Sequence, residues 1–404
     1  MNARNSGYNR IRYILCFVVL PLIMLAAARV LDGSPVMLGP DARLYLSVAD
    51  NYLATGHFIQ NVRETGSYVV PFGVPLILTL LRSLSFSVGA ILAVEYLLFG
   101  FSCLCLSGAE KDLGSSGFLA PVLYTLLFIR TDCLLNNIFI EDFFLPCLCA
   151  LIRLLTIREM SDGKRLLWLN IFGFSCFAMR PVMIVVYLPV LGYTVYAAVK
   201  RRVSVLPAVL ALLLPCLIMA GNAEINRRET GYRIFTENYS GADLYIANNP
   251  KARTTFFSAH ELNEQIDETY YAVLDDPALD PTLKNQRLGS LARRWVLDNP
   301  GQYLKLCAGR FYSLFIAYWR GLLVIAFLGG IGTLRRRGRW RTLSIVLLCE
   351  SLLLALLTSS GIIVGRYSLP LLPAASLHLS ALMHWAVHRI AGEKGRPEDS
   401  PPHM

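Results

Sequence analysis

The sequence predicts an all-α membrane protein, a polytopic bundle of about ten transmembrane helices with interfacial helices and a small helical cap region on its outer side. Of its 404 residues, 55% are hydrophobic and 16% are charged, whereas about 25% of the residues in a soluble domain are charged. The apolar residues form long blocks without the alternation of strands, and blocks near 18 residues match a membrane helix. Composition and block length therefore both indicate a helical bundle in a lipid bilayer.

The apolar blocks define the order of the predicted spans. The first block follows Arg4, Arg10 and Arg12, which places the amino end in the cytoplasm under the positive-inside rule. We interpret this block as a retained span, because a cleaved signal peptide has a shorter apolar region and a clearer cleavage site. The block 71–84 is short and contains a proline, so it fits a re-entrant or surface element. The predicted spans cover residues 14–30, 88–106, 118–129, 138–155, 166–177, 182–199, 206–220, 311–334, 343–357 and 369–390.

Polar segments divide the chain into three predicted parts. Residues 1–221 form an N-terminal transmembrane module whose first outer loop (32–85) holds candidate catalytic residues, and residues 222–302 form an extracytoplasmic helical region. Residues 303–404 form a C-terminal transmembrane module with a short cytoplasmic tail. Helical patterns predict a short helix over 42–55 that ends at Gly56, and two helices in the outer region over 259–274, capped by Ser258, and over 281–297.

Charge and cysteine usage exclude several classes of protein. The formal charge is +10, but basic clusters such as 200–202 and 335–337 adjoin apolar blocks, so they indicate topology anchors rather than a nucleic-acid partner. The ten cysteines lie almost entirely in apolar segments without a CxxC pair, which favours buried thiols over a disulfide framework or a zinc site. The sequence contains no phosphate-binding glycine motif, HExxH or GxSxG.

The polar residues that could carry chemistry lie at the predicted outer ends of spans. Asp41 opens the 42–55 helix and has two interpretations: the N-cap of that helix, or a carboxylate that accepts a proton from a hydroxyl. Glu141 and Asp142 lie near the start of another span. If that span begins near residue 134, the two acids are about 10 Å inside it, where an acid normally faces a cavity or a partner. The alternative is an interfacial pair that sets the helix end.

Two arginines also fall at outer ends of spans, in Arg180-Pro181 and in Arg366-Tyr367. Either arginine alone could extend to the lipid headgroups. Two of them on the outer face are unexpected under the positive-inside rule. Planar guanidinium groups at this depth suit the phosphate of a lipid, so we take both as candidate phosphate-binding residues.

Taken in chain order, these residues resemble the membrane-embedded glycosyltransferases of the GT-C fold. The likeness is greatest to the branch of the dolichyl-phosphate-mannose protein mannosyltransferases and the bacterial aminoarabinose lipid A transferases. That branch has an acid and a Tyr after the first span, a Pro-rich aromatic stretch, an acid opening a later span, an Arg-Pro pair, and an Arg-Tyr pair before a proline-containing last span. The matching residues are Asp41 with Tyr45 and Gly56, the stretch from Tyr68 to Pro75, Glu141-Asp142, Arg180-Pro181, and Arg366-Tyr367 with Pro370 and Pro373.

The resemblance implies transfer of a sugar, hexose or pentose, from a polyprenyl-phosphate donor to a hydroxyl of a glycolipid, a glycan or a protein. Asp41 would be the general base, and Arg366, Tyr367 and Arg180 would bind the donor phosphate. Phosphate is a competent leaving group, so a base and cations suffice for the reaction. The resemblance also implies substrate-binding or supporting roles for Tyr45, Tyr68, Glu141 and Asp142.

One departure from the family concerns the residue after the proposed base. Many relatives have Asp-Glu where this chain has Asp41-Ala42, so the supporting carboxylate is absent or is supplied by Asp50 or Glu64. The sequence predicts no certain cofactor: some relatives use a divalent metal, but no ligand cluster for one is clear here. The compact loops favour a bacterial inner membrane over a eukaryotic lumen, for which the single sequon Asn238-Tyr-Ser240 is weak evidence. The active site is then expected to face the periplasm.

Two other classes of protein fit parts of the sequence. A carrier or flippase for a lipid-linked sugar or another amphiphile would also be an apolar bundle with interfacial charges. Carriers, however, bind substrate near the membrane midplane and often have repeat symmetry, whereas the candidate residues here gather on one face and no repeat is evident. A non-enzymatic assembly scaffold is the third interpretation.

Overall fold

The computed structural model describes residues 3–32, 38–57, 69–129, 138, 140–157, 159–200, 205–237, 239–254, 264–313, 322–334, 339–359 and 369–390, and every regular element in these ranges is helical. A π-helical turn, Leu15–Val19, joins α1 to α2, and a 3-10 turn, Pro181–Met183, precedes α9. The α-helices are α1 Ala3–Ile14, α2 Leu20–Asp32, α3 Pro40–Thr55, α4 Gly73–Ser83, α5 Val88–Asp112, α6 Leu119–Ile129, α7 Ile140–Thr156, α8 Asp162–Met179, α9 Ile184–Val199, α10 Val205–Thr230, α11 Ser240–Ala247, α12 Glu268–Leu274, α13 Pro281–Asp298, α14 Pro300–Tyr312, α15 Leu322–Thr333, α16 Arg339–Ser359 and α17 Leu372–Ile390.

Five helical stretches in the described ranges are long and apolar enough to cross a membrane: Gly7–Val30, Val88–Asp112, Pro181–Val199, Ala208–Thr230 and Trp340–Leu357. Shorter apolar helices are Gly73–Ser83, Leu119–Ile129 and Leu323–Thr333. The surface of α10 is apolar as well, since Leu213, Leu214 and Leu217 are all more than half exposed. A row of exposed leucines on a long helix is costly in water but not in lipid. The all-helical architecture therefore fits the predicted class of helical membrane protein.

Ion pairs and hydrogen bonds identify the two ends of the bundle. At one end, Arg153 near the end of α7 pairs with Asp112 at the end of α5, and the indole N–H of Trp340 in α16 donates to the Leu113 carbonyl at 2.8 Å. At the other end, Arg180 after α8 pairs with Glu141 at the start of α7. We call the Glu141–Arg180 end the site end and the Asp112–Arg153 end the opposite end. Helices α7 and α8, which a short connection joins, therefore run antiparallel, whereas α5 and α7 run in the same direction.

The helices α3 and α4 form a hairpin-like pair at the site end. Helix α4 packs against α3, and the Arg82 guanidinium near its end donates to the Asp50 carboxylate of α3 at 2.9 Å. This ion pair keeps the end of α4 beside α3, so α4 does not run on toward the opposite end of the bundle. The geometry agrees with the prediction that this short proline-containing block is a surface or re-entrant element.

Helices α11 to α13 in the region 222–302 pack around a small core of their own. Its buried residues are Tyr245, Val273, Leu288 and Ala292. The predicted helix over 281–297 is confirmed as α13. The predicted helix over 259–274 is confirmed over 268–274, as α12, but it is wrong at residues 265–267, which are not helical, and the Asp267 side chain is the N-cap of α12. Residues 259–263 lie outside the described residues. The predicted cap Ser258 lies outside the described residues.

A buried arginine joins this outer region to the bundle. Arg310 in α14 is only 1% exposed, and its guanidinium donates to the Asn248 side chain at 3.4 Å and to the carbonyls of Ala247, Arg253 and Ser359. These acceptors come from the end of α11, the segment after it and the end of α16. A charge in such a position is tolerated only when its donors are satisfied, so Arg310 links α14 to two segments that are distant from it in sequence, residues 247–253 and the end of α16.

Candidate functional site

Asp41 lies in the first turn of α3, at the site end. The N-cap of this helix is the backbone of Gly39, and Pro40 occupies the first helical position, where its missing N–H costs nothing. The interpretation of Asp41 as the N-cap is therefore wrong. Its carboxylate is partly exposed and is stabilised by the positive end of the helix dipole. The predicted end of the helix is confirmed, because Gly56 follows Thr55 with a φ of 77°.

Tyr45 lies one turn after Asp41 on the same face of α3. It is 6% exposed, and its ring lies near the phenol of Tyr239, just before α11. Asp50 is nine positions after Asp41, on the opposite face of the helix, and it pairs with Arg82. Asp50 therefore does not supply the carboxylate that the family places next to the base.

Glu141 and Asp142 lie in the first turn of α7, which begins at Ile140 and not near residue 134. The estimate that they lie about 10 Å inside their helix is therefore wrong. Both acids are nevertheless buried, at 2% and 6% exposed, as expected for acids that face a partner or a cavity. Glu141 has Arg180 as its partner.

Arg180 directly follows α8, and Pro181 after it starts a 3-10 turn. The Arg180 guanidinium donates to Glu141 and lies 5.8 Å from the centre of the Phe144 ring. Pro181 prevents α8 from continuing, because proline lacks the backbone N–H that would donate to a carbonyl one turn earlier. Arg180 thus pairs with Glu141 of the protein, so its role is not only to extend to the lipid headgroups.

Gly73 allows the Pro-rich stretch to pack against the end of α8, just before Arg180. A side chain at Gly73 would place its Cβ 2.8 Å from the Met179 backbone nitrogen and 2.9 Å from the Ala178 carbonyl. Only glycine permits such close backbone contact. The start of α4 therefore packs directly against the residues that precede Arg180, and α3 packs on α4.

Two residues of the site were not predicted from the sequence. Glu237 and Tyr239 precede α11, and both are partly buried. Burial raises the pKa of Glu237 to about 6, with a further increase from the charge of Asp243, while Tyr239 and the Arg180 charge oppose the shift. Burial and the nearby Glu237 raise the pKa of Tyr239 well above its usual value, and Tyr45 contributes to the shift. Glu237 and Tyr239 therefore lie between Tyr45 of α3 and the Glu141–Arg180 ion pair.

Asp142 points to a different part of the bundle. It borders a small cavity of about 10 Å³ together with Glu95 of α5, Ser102 and Tyr124, which is about the volume that one water needs. Glu95 is 0% exposed, and neither of its carboxyl oxygens has a hydrogen-bond partner among the residues that the structure describes. Asp142 thus faces a second carboxyl and a cavity although it lies in the first turn of its helix.

Three predicted site residues, Tyr68, Arg366 and Tyr367, lie outside the described residues, as does Glu64. The flanking elements are described: α16 ends at Ser359, whose carbonyl accepts from Arg310, and the chain is described again from Leu369, which is fully buried. Helix α16 begins at the opposite end of the bundle, at the Trp340–Leu113 hydrogen bond, and therefore ends toward the site end.

In the described ranges, no group of three or more His, Cys, Asp or Glu side chains lies close enough together to hold a metal ion. No family model matches this chain, and no curated protein matches its sequence.

Proposed function

We propose that this protein is a membrane glycosyltransferase that moves a sugar from a polyprenyl-phosphate donor to an acceptor hydroxyl at the outer, periplasmic face of a bacterial inner membrane. The observation that supports it most is the meeting of three distant segments at the site end. Asp41 and Tyr45 come from α3, Glu237 and Tyr239 from the segment before α11, and Arg180 with Glu141 from the α7–α8 corner. Such a cluster offers a proton acceptor beside polar and aromatic groups.

The proposal includes ten spans: α1 with α2, the six helices α5 to α10, and α15 to α17. With the amino end in the cytoplasm, the opposite end faces the cytoplasm and the site end faces outward. Basic residues support this orientation, since Lys164, Lys200 and Arg341 lie at helix ends on the opposite end. Helices α6 and α15 are short for a crossing, but each adjoins a segment outside the described ranges.

The proposed reaction needs one proton transfer and one displacement. The acceptor hydroxyl gives its proton to the Asp41 carboxylate while its oxygen bonds to the anomeric carbon of the sugar. The bond between that carbon and the phosphate oxygen breaks, and the polyprenyl phosphate leaves with the electron pair. Cations stabilise the departing charge. Arg366 and Tyr367 take this part in the proposal, and Arg180 assists while paired with Glu141.

The test is a transfer assay with the purified protein in proteoliposomes. A polyprenyl-phosphate sugar labelled in the sugar is supplied in the bilayer with glycolipid, glycan and peptide acceptors, and the product is identified by mass spectrometry. We expect the label to move to one acceptor. Movement of the intact donor between leaflets, with no transfer to any acceptor, would instead identify a carrier.

Glu237 provides a pH prediction, because its carboxyl loses a proton at about pH 6 in the folded protein and near 4.5 when unfolded. The unfolded state therefore binds fewer protons than the folded state between these values, so stability falls as the pH rises through this window and is constant above it. The full pKa shift of Glu237 corresponds to about 2 kcal/mol in the free energy of unfolding. The partial exposure of the side chain reduces this contribution. Glu237→Gln should flatten this dependence.

The measurement is the thermal unfolding midpoint of the detergent-purified protein between pH 4.5 and 7. Glu268→Gln, which changes an exposed acid of the same outer region, is the matched control and should keep the parent's slope. If Glu237→Gln also keeps that slope, Glu237 is not a buried acid of this site.

A further inference from the structure

A second concave surface lies away from the candidate site, among α7, α8, α9 and α16. Its volume is about 500 Å³, within the range of small-molecule sites in proteins. Aliphatic side chains form most of its walls. We call it the α16 groove, and its lining includes Leu151, Ile152, Leu169, Val186, Val190 and Val346.

Two ionisable residues border this apolar surface, at different depths. Arg165 lies in the first turns of α8, at the opposite end of the bundle, and Glu350 lies in the middle of α16. Glu350 is near the Cys176 thiol, which is eleven positions along α8 from Arg165 and hence roughly 16 Å away along the helix. This length matches the depth of one leaflet, about half of a 30 Å hydrocarbon core.

The geometry of Arg165 leaves one donor unused. Its terminal nitrogens donate to the carbonyls of Ile157 at 2.8 Å and Met160 at 3.3 Å, and lie 3.5 Å from the Asp162 carboxylate. Its Nε is buried and has no acceptor among the described residues. The side chain nevertheless keeps 21% of its surface exposed, and Nη1 makes only the 3.5 Å contact with Asp162. A ligand oxygen in the groove can therefore accept a hydrogen bond from a remaining N–H of the guanidinium.

The charge around this end of the groove is positive. Lys164 precedes Arg165 in α8, Lys200 directly follows α9, and Arg341 lies in the first turn of α16, so the ends of three helices that line the groove each carry a cation. Asp162 offsets part of this charge. Basic pockets between membrane helices attract anionic headgroups from the adjoining leaflet.

We propose that the α16 groove binds one acyl chain of an anionic phospholipid, with the phosphate at Arg165 and the chain extending along the apolar walls past Glu350. The site is separate from the proposed sugar-transfer site, which lies at the other end of the bundle. Lipid occupancy of the α16 groove can be measured without enzymatic activity. The groove can therefore fail to bind lipid while the protein transfers sugar, and it can bind lipid in a protein that transfers no sugar.

The test is native mass spectrometry of the purified full-length protein after incubation with phosphatidylglycerol or phosphatidylcholine. We expect the parent to retain one phosphatidylglycerol and to lose phosphatidylcholine. Arg165→Gln removes the charge and Val346→Phe fills the groove, and each should reduce retained phosphatidylglycerol about tenfold, as for the loss of a charged hydrogen bond. Lys305→Gln and Val209→Phe change exposed residues that do not line the groove, and both should retain lipid like the parent.

The remaining outcomes contradict the proposal. Equal retention of both lipids, or parent-like retention by Arg165→Gln, would mean that no anionic headgroup is recognised at Arg165. A Glu350→Gln variant should retain phosphatidylglycerol; loss in that variant with retention in Arg165→Gln would indicate a cationic amphiphile instead. Thermal unfolding of every variant checks folding, and the Arg165→Gln and Lys305→Gln pair decides the question if Val346→Phe does not fold.

Discussion

Replacing Asp41 by Asn is expected to reduce sugar transfer by about 10²- to 10⁴-fold, the usual contribution of a general base. The amide has nearly the same shape as the carboxylate but does not accept a proton from the acceptor hydroxyl. The fold should change little, because an exposed charge in the first turn of a helix contributes about 0.3–1 kcal/mol. The measurement is the initial rate of transfer in proteoliposomes at saturating donor.

Asp50→Asn is the matched control for this experiment. It makes the same chemical change on the same helix, but on the face opposite Asp41, and it breaks only the partly exposed pair with Arg82. Such a pair contributes at most about 1 kcal/mol, so the control should keep the parent's rate. If both variants transfer sugar like the parent, Asp41 is not the base.

Removing Arg180 should destabilise the protein more than any other single change at the site. In Arg180→Ala, the Glu141 carboxylate stays buried at 2% exposed without its cation, and breaking a buried pair from one side costs about 3–5 kcal/mol. We therefore expect a clearly lower thermal unfolding midpoint in detergent, or little folded protein. A midpoint equal to the parent's would contradict the buried ion pair.

The double variant Arg180→Met with Glu141→Leu separates stability from function. Replacing both members by apolar residues of similar size leaves no unpaired charge, so the unfolding midpoint should return close to that of the parent. Transfer should stay low, with a raised KM for the donor, because the donor phosphate loses a cation. Full transfer by the folded double variant would limit Arg180 to a structural role.

Local patterns in the sequence predicted the elements that depend on neighbouring residues. Helix α3 was found from its apolar spacing and from Gly56, and α13 from its periodicity before Asn299. Helix α12 was predicted too long, because residues 265–267 fit the helical pattern but the Asp267 side chain caps a new helix there. Similarly, Asp is a good capping residue, yet the helix begins at Pro40 with Gly39 as its N-cap, two residues earlier than the pattern at Asp41 predicts.

Sequence patterns do not predict which distant segments contact each other. Glu237 and Tyr239 lie far along the chain from Tyr45 and Arg180, and only the packing of α3, α4 and α8 brings these groups together. The buried Arg310 is surrounded by apolar residues in α14, a pattern that also fits an exposed arginine. Its role follows from acceptors in two other segments, residues 247–253 and the end of α16, whose positions no local pattern specifies.

In the proposed mechanism, the donor phosphate binds at the site end near the first turn of α3, in contact with Arg366. A polyprenyl-phosphate sugar with a photoreactive group on the lipid next to the phosphate locates the phosphate by peptide mapping of the labelled protein. We predict labelling of peptides containing Asp41 to Tyr45 and Arg366 to Tyr367, suppressed by unlabelled donor. Suppressible labelling confined to peptides of the α16 groove, with none at Asp41 or Arg366, would contradict the claim.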